Sequence, residues 1–348
     1  MNRTLIIGGA GFIGSRYVRD FGAGDVTVFD NLSPIVHNRA SIAEFIASGV
    51  DFIPGDVTQP EDVAALFERG VPENLLLLAA ETGTGRSLHN CALNTRVNAL
   101  GTALVLDALS RAGTFPRRIV LTSSRAVYGE GPYRDGTGRT VYPDQREETD
   151  LKAGRFEFDG LAPQAMAAAA HLPNPSNIYG TTKLAQESLV RNWARSFGVS
   201  SYVLRLQNVY GAGQSLTNPY TGVLIHFLRN LRKAEPVLIY EQGGITRDFV
   251  HVGDIAQAID LAFSGSAAPG VYDIGSGERV ALETVAGEIC TLTGGPAPAF
   301  CDRYRLGDVR HAAADITAAH KALGFEPRVP LADGLSELND FFAAHPDV

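Results

Sequence analysis

One stretch near the start constrains this chain more than any other: Gly8-Gly9-Ala10-Gly11-Phe12-Ile13-Gly14, a G-x-x-G-x-x-G run. It follows an apolar segment, 4–7, that predicts a strand, and it opens a helical pattern over 12–21. Glycines at that junction permit a tight turn and bring backbone N–H groups close to a diphosphate, which the positive end of the helix attracts. Gly8, Gly11 and Gly14, with Phe12 and Ile13 in the first helical turn, are therefore candidate dinucleotide-binding residues.

The rest of the chain repeats that unit. Short apolar runs at 26–29, 52–54, 75–79, 118–122 and 201–206 read as strands, and 61–69, 92–112 and 179–197 read as helices. Such alternation predicts an α/β fold, a Rossmann-like doubly wound parallel sheet with right-handed crossovers. Two stretches break the rhythm. Residues 129–177 show little periodicity and suggest a functional insertion or lid. Beyond about residue 208 the pattern becomes punctuated by Gly and Pro. The expected division is therefore a dinucleotide-binding domain, 1–207, with 246–272 packing back on it, and a smaller C-terminal substrate-binding lobe, 208–245 and 273–348.

Composition excludes several functions. Lys+Arg 30 against Asp+Glu 38 gives a net charge of −8, with no basic run, so nucleic acid is not an expected partner. The longest aliphatic run, 75–80, is far short of the ~20 residues that span a bilayer, and the glycines interrupt any signal-like N-terminus; a cytoplasmic protein is expected. Cys91, Cys290 and Cys301 have no metal-ligand spacing and read as buried thiols in a reducing compartment.

Carboxylates at the strand tips sharpen the cofactor. Asp30 ends the second strand, where it can bind both hydroxyls of an adenosine ribose and repel a 2′-phosphate, which favours NAD over NADP. Asp56, after the third strand, is placed to reach the adenine amino group. Asn31 and Val57 flank these carboxylates, and Ala79-Ala80 closes the fourth strand; all four join the candidate cofactor-binding set.

The chemistry is carried by Tyr179-Gly180-Thr181-Thr182-Lys183, a Y-x-x-x-K on a helix, whose spacing puts both side chains on one face. A free tyrosine, pKa ~10, is a poor base at neutral pH, and a neighbouring ammonium and a positive nicotinamide ring are expected to lower it. Ser124, in Thr122-Ser123-Ser124-Arg125-Ala126-Val127-Tyr128-Gly129, ends a strand at the edge of the sheet where such folds bind ligands.

Together the glycine run, Asp30, Ser124, Tyr179 and Lys183 resemble the extended short-chain dehydrogenase/reductase superfamily, and within it the nucleotide-sugar epimerases and dehydratases. C-terminal segments extend the resemblance over essentially the whole chain. Arg205-Leu206-Gln207-Asn208-Val209-Tyr210-Gly211 is similar to the family's LRxxNxYG turn, which implies Asn208 on the sugar diphosphate. Arg247-Asp248-Phe249-Val250-His251-Val252 is similar to RDFxHV, and Arg305-Leu306-Gly307-Asp308 to RxGD. These imply Arg247 and Arg305 on the phosphates and Asp308 on the nucleotide ribose. Asn98 matches the helix Asn that supports the active site and, with Tyr179 and Lys183, joins the candidate cofactor-binding set. The chemistry agrees, because Arg forks suit phosphate oxygens. The resemblance also implies a homodimer through the helices 92–112 and 179–197, although their apolar faces serve the sheet equally well.

Which reaction follows depends on the residues after the serine. The 4,6-dehydratases resemble T-D-E-V-Y-G there, with Asp and Glu as acid and base; here Arg125-Ala126 replaces both carboxylates. The resemblance then implies a 4-epimerase acting on a nucleotide diphospho-sugar, with Tyr179 as base, Ser124 on the 4-oxygen and Lys183 on the nicotinamide ribose. A nucleotide-4-keto-sugar reductase or dehydrogenase would share the site. A non-catalytic dinucleotide sensor would be expected to lose the Tyr/Lys pair, and both are present. The segments 79–85, 124–131 and 213–223 are similar to a bacterial subgroup that includes dTDP-L-rhamnose 4-epimerases. Leu77 in place of a family His, the absence of CxxC pairs and an insertion longer than that of UDP-galactose 4-epimerases depart from the pattern. Glu81 and Arg125 are candidates for the hexose, with pairing to a neighbour as the alternative for each.

Overall fold

The computed structural model describes residues 3–22, 25–34, 36–37, 45, 49–216 and 222–346. Part of the 213–223 stretch singled out above, 217–221, lies outside them. Seven parallel strands form the central sheet: β1 (Thr4–Ile7), β2 (Val26–Asp30), β3 (Asp51–Pro54), β4 (Asn74–Leu77), β5 (Arg118–Ser124), β6 (Ser200–Leu206) and β7 (Gly270–Ile274), in the order β7-β6-β5-β4-β1-β2-β3. The doubly wound α/β expectation holds. The order reverses between β1 and β4, and a crevice opens at their carboxyl ends, where this fold class binds ligands.

Strand alternation builds a separate core on each face. Ile6, Val28, Leu76, Val120 and Leu204 point to one side, against Ile255 and Ile259 of the helix Val252–Ser264. Leu5, Leu75, Leu77, Ile119 and Leu121 point to the other, against Leu66, Leu109 and Val190 from the helices Pro60–Glu68, Gly101–Ala112 and Ile178–Phe197. Burial on both faces explains why these strands read as continuous apolar runs. A third core joins the helices Val223–Arg232, Leu282–Thr293 and Leu331–Ala343 through Leu224, Ile225, Val285, Ile289 and Leu338.

Three expectations need correction. The helix over 92–112 is not uniform: α-helix over Cys91–Asn94, a π-turn over Thr95–Leu100, and α-helix again from Gly101. Residues 129–177 are not without elements, since Tyr133–Arg134 pairs antiparallel with both Thr140–Val141 and Ala162–Pro163, and Glu148–Lys152 is helical. Elements this short leave no periodicity in a sequence. Finally, only Cys290 is buried; Cys91 is exposed and Cys301 half-buried.

Candidate active site

The crevice is a cavity of about 350 Å³ lined by Gly8, Gly11, Phe12, Ile13, Gly14, Asp30, Asn31, Asp56, Val57, Ala79, Ala80 and Glu81. The glycines differ in purpose. Gly8 has φ +84°, and a Cβ there would lie 2.4 Å from the Ala79 nitrogen, so the β1 turn needs it. A Cβ on Gly11 would meet only the Gly8 oxygen, at 3.5 Å. Protein packing does not require that glycine; the space it leaves lies in the cavity at the mouth of the helix Phe12–Phe21, where a diphosphate would sit.

Asp30 is buried, and its carboxylate accepts from the Ala10 nitrogen at 3.0 Å and the Leu32 nitrogen at 2.8 Å. Each carboxylate oxygen keeps a lone pair for a ribose hydroxyl. His37, which the sequence reading missed, lines the same wall with Nε2 3.9 Å from Asp30 Oδ1; burial pushes its pKa down against the pull of that carboxylate. Asp56 accepts from the Thr58 nitrogen at 2.8 Å and from Asn31 Nδ2 at 3.0 Å. Burial pushes its pKa up, but these hydrogen bonds outweigh burial and hold it below the usual carboxylate range. The donors, carboxylates and glycine cradle fit NAD.

Asn98 stands behind this wall, outside the cavity lining. It is fully buried in the π-turn; its Oδ1 accepts from the Glu81 nitrogen at 2.8 Å, and its Nδ2 donates to the Glu81 oxygen at 3.0 Å and Thr182 Oγ1 at 2.9 Å. Its amide is consumed in tying the end of β4 to the Tyr/Lys helix, so it is a positioning residue. Such π-turns are rare in helices and recur at functional sites.

At the inner end of the crevice, the helix Ile178–Phe197 starts on Asn177, whose Oδ1 accepts from the Gly180 nitrogen at 2.9 Å. Gly180 presses on the turn after β5: a Cβ there would lie 2.3 Å from the Ala126 oxygen. That contact sets Tyr179 beside Ser124, whose Oγ accepts from the Ala126 nitrogen at 3.2 Å. Ser123, by contrast, is turned away and donates to Glu187. Burial raises the Tyr179 pKa, opposed by Ser124 and the charge of Arg125. The expected partner, Lys183, is not among the groups that lower it. The Lys183 ammonium instead donates to the Thr122 oxygen and to Gln186 Oε1, each at 2.9 Å. Desolvation brings its pKa down to about 8, with Glu187 pulling the other way. Two of its three protons are engaged there, which leaves one for a ligand.

The substrate candidates divide. Arg125 Nε donates to Asn208 Oδ1 at 2.9 Å, and burial followed by the nearby Arg247 charge brings its pKa down to about 10. Arg247 is buried, donating to the Thr246 and Arg310 carbonyls and to Asp308 Oδ1 at 3.0 Å. Arg125, Asn208, Arg247 and Asp308 thus form one cluster. Arg305 is not in it: it is exposed, with its guanidinium 5.5 Å from the Tyr240 ring centre. Glu81 pairs with Arg86 at 2.8 Å, the alternative left open for it. Behind the cluster, Arg146 forks onto Glu241 at 2.6 and 3.1 Å and donates to the Asp308 carbonyl at 2.8 Å, while Arg310 reaches Glu241 and Glu157. The insertion is therefore bolted to the lobe by buried charge. Pairs separated by 95 and 153 residues left no motif to read.

The model of the NAD dependent epimerase/dehydratase family matches residues 4–275. The chain belongs to this family. Among its epimerase/dehydratase relatives, the dTDP-L-rhamnose 4-epimerase of Burkholderia thailandensis is 39% identical over 348 residues, covering 99% of this chain and 96% of the relative. The dTDP-glucose 4,6-dehydratase of Streptomyces niveus is 32% identical over 363 residues, covering 98% and 92%. The solved structure of the Thermus thermophilus UDP-glucose 4-epimerase in complex with NAD superposes with a TM-score of 0.76 at 28% identity, covering 98% of this chain and 99% of that one. Among the described residues no helix is long and apolar enough to cross a membrane.

Proposed function

We propose that this chain is a nucleotide-sugar 4-epimerase that retains NAD and inverts C4 of a nucleoside diphospho-hexose. One observation carries the reading. The turn after β5 sets Ser124 beside Tyr179, with Lys183 one helical turn beyond, and the next residues are Arg125 and Ala126 rather than a carboxylate pair. Proton transfer at an alcohol is provided for; elimination of water is not.

Bound NAD supplies a reversible two-electron oxidant for the sugar carbon. Tyr179 Oη takes the proton of the sugar 4-hydroxyl, and Ser124 Oγ hydrogen-bonds the same oxygen. Arg125 favours the phenolate electrostatically, and Lys183 holds the nicotinamide ribose with its remaining proton. After the 4-keto sugar turns over, Tyr179 returns the proton to the oxygen on the inverted centre. We assign Arg247, Arg305, Asn208 and Asp308 to the nucleoside diphosphate and Glu81 with Arg125 to the hexose. The lobe of 208–245 and 273–348 would hold the nucleotide sugar, and its separate core supports that division. By analogy with the 39% identical relative, dTDP-L-rhamnose is the first substrate to test.

A homodimer in the cytoplasm completes the proposal. Exposed Leu93 and Leu100 on one helix and Leu189 on its neighbour offer apolar surface, and the three free thiols suit a reducing compartment. Sedimentation equilibrium checks the dimer.

The activity test is a panel of UDP-, dTDP- and GDP-hexoses, with products resolved as C4 epimers and no nicotinamide cofactor added. Epimerisation supported by the NAD that copurifies is expected. Steady consumption of added NADH or NADPH by a protein purified without cofactor would instead establish a reductase.

A further inference from the structure

Gln214 lies in the wall of the dinucleotide cavity but belongs to the chain beyond β6, after the short strand Asn208–Tyr210. Its side chain is buried, 9% exposed, and its Oε1 has no hydrogen-bond partner among the described residues. A buried acceptor without a donor loses its water without replacing it, so it calls for a physical reason. Its surroundings are arranged to keep it there. The Gln214 nitrogen donates to the Gly211 oxygen at 3.4 Å, closing a turn. A Cβ on Gly213 would lie 3.8 Å from the Phe12 ring, so this turn rests on the first residue of the diphosphate-facing helix. Gly222, also in the cavity wall, leaves the room the amide uses; a Cβ there would stand 3.2 Å from Gln214 Nε2.

We propose that Gln214 is a cofactor-binding residue contributed by the C-terminal lobe, its Oε1 accepting a hydrogen bond from a hydroxyl or amide donor of bound NAD. The diphosphate is excluded as the partner, because at neutral pH it has no proton to give. The inference rests on the NAD reading of the cavity. NAD would then be gripped from both sides, by the β1 turn and by the lobe segment that leads from Asn208. Cofactor retention would depend on the lobe.

The test is calorimetric titration of NAD into the full chain stripped of cofactor, for wild type and Gln214→Leu, with the melting temperature of each cofactor-free protein. A net hydrogen bond of about 0.5–1.5 kcal/mol predicts that Gln214→Leu raises the Kd roughly two- to thirteenfold. The Tm of the cofactor-free variant should be unchanged or higher, because the substitution removes an orphaned acceptor. An unchanged Kd overturns the inference, and so does a lower Tm in the cofactor-free variant, which would make Gln214 a structural residue. Failure of the wild type itself to bind NAD overturns the underlying cofactor reading.

Discussion

The two ends of the crevice are built by opposite means. The dinucleotide end is made from backbone and short-range chemistry: a glycine turn, a helix mouth, and carboxylates bonded to N–H groups two residues on, as Asp30 is to Leu32 and Asp56 to Thr58. The sugar end is made from buried charge held over long sequence separations, with Arg146, Glu241, Arg310, Arg247 and Asp308 in mutual contact. The first kind of site is rigid because its strands are. The second is rigid only while every charge keeps its partner, since an uncompensated buried ion costs far more than the pair contributes.

That contrast can be broken or sharpened by substitution. The largest effect belongs where the ends meet. Tyr179→Phe should lower turnover by about 10²–10⁴-fold while leaving NAD bound, measured by rate and by cofactor content; appreciable epimerisation by this variant removes the proposed base. Next, Arg146→Met leaves buried Glu130 without its cation and Glu241 with Arg310 alone, and should cost about 3–5 kcal/mol in denaturant unfolding, the penalty for breaking a buried pair. Gly8→Ala tests the other end. It places a side chain at φ +84° and against Ala79, so it should abolish NAD retention and lower the Tm.

A smaller effect should come from Asp273, at the end of β7, which accepts from the Tyr128 hydroxyl and the Ala168 nitrogen. Burial raises its pKa to about 6, above its unfolded value of 3.8. The folded state therefore binds the extra proton between those values. Stability relative to Asp273→Asn should fall as pH rises from about 4 to 6 and level off beyond, with the sign given by proton linkage; a pH-independent difference contradicts this. Smallest of all, Arg305→Ala should change stability by no more than about 0.5 kcal/mol, as an exposed side chain, while raising KM for the nucleotide sugar. An unchanged KM would take Arg305 out of the site.

These differences also decide what was legible in the sequence. Gly8, Gly11, Gly14, Asp30 and Asp56 are readable because their function depends on neighbours within a few residues, and strand alternation made the sheet equally plain. Tyr179 and Lys183 were readable as a pair, but not the direction of the Lys183 ammonium, which is set by Thr122 and Gln186. Gln214 stood in a segment noted only for its likeness to a subgroup; no local rule says that a glutamine beyond the sixth strand folds back onto the first helix. The charged lattice behind Asp308 was invisible for the same reason. Its partners lie on the insertion and on the lobe, and only tertiary packing brings them together.

The most direct test of the account is to incubate the purified protein with dTDP-L-rhamnose, and then the wider panel, in D₂O, and to examine the products by NMR. The account predicts a C4 epimer with no deuterium at C4, because the hydrogen removed from that carbon is the one returned. Deuterium at C4, or no epimer from any nucleoside diphospho-hexose in the panel, would contradict it.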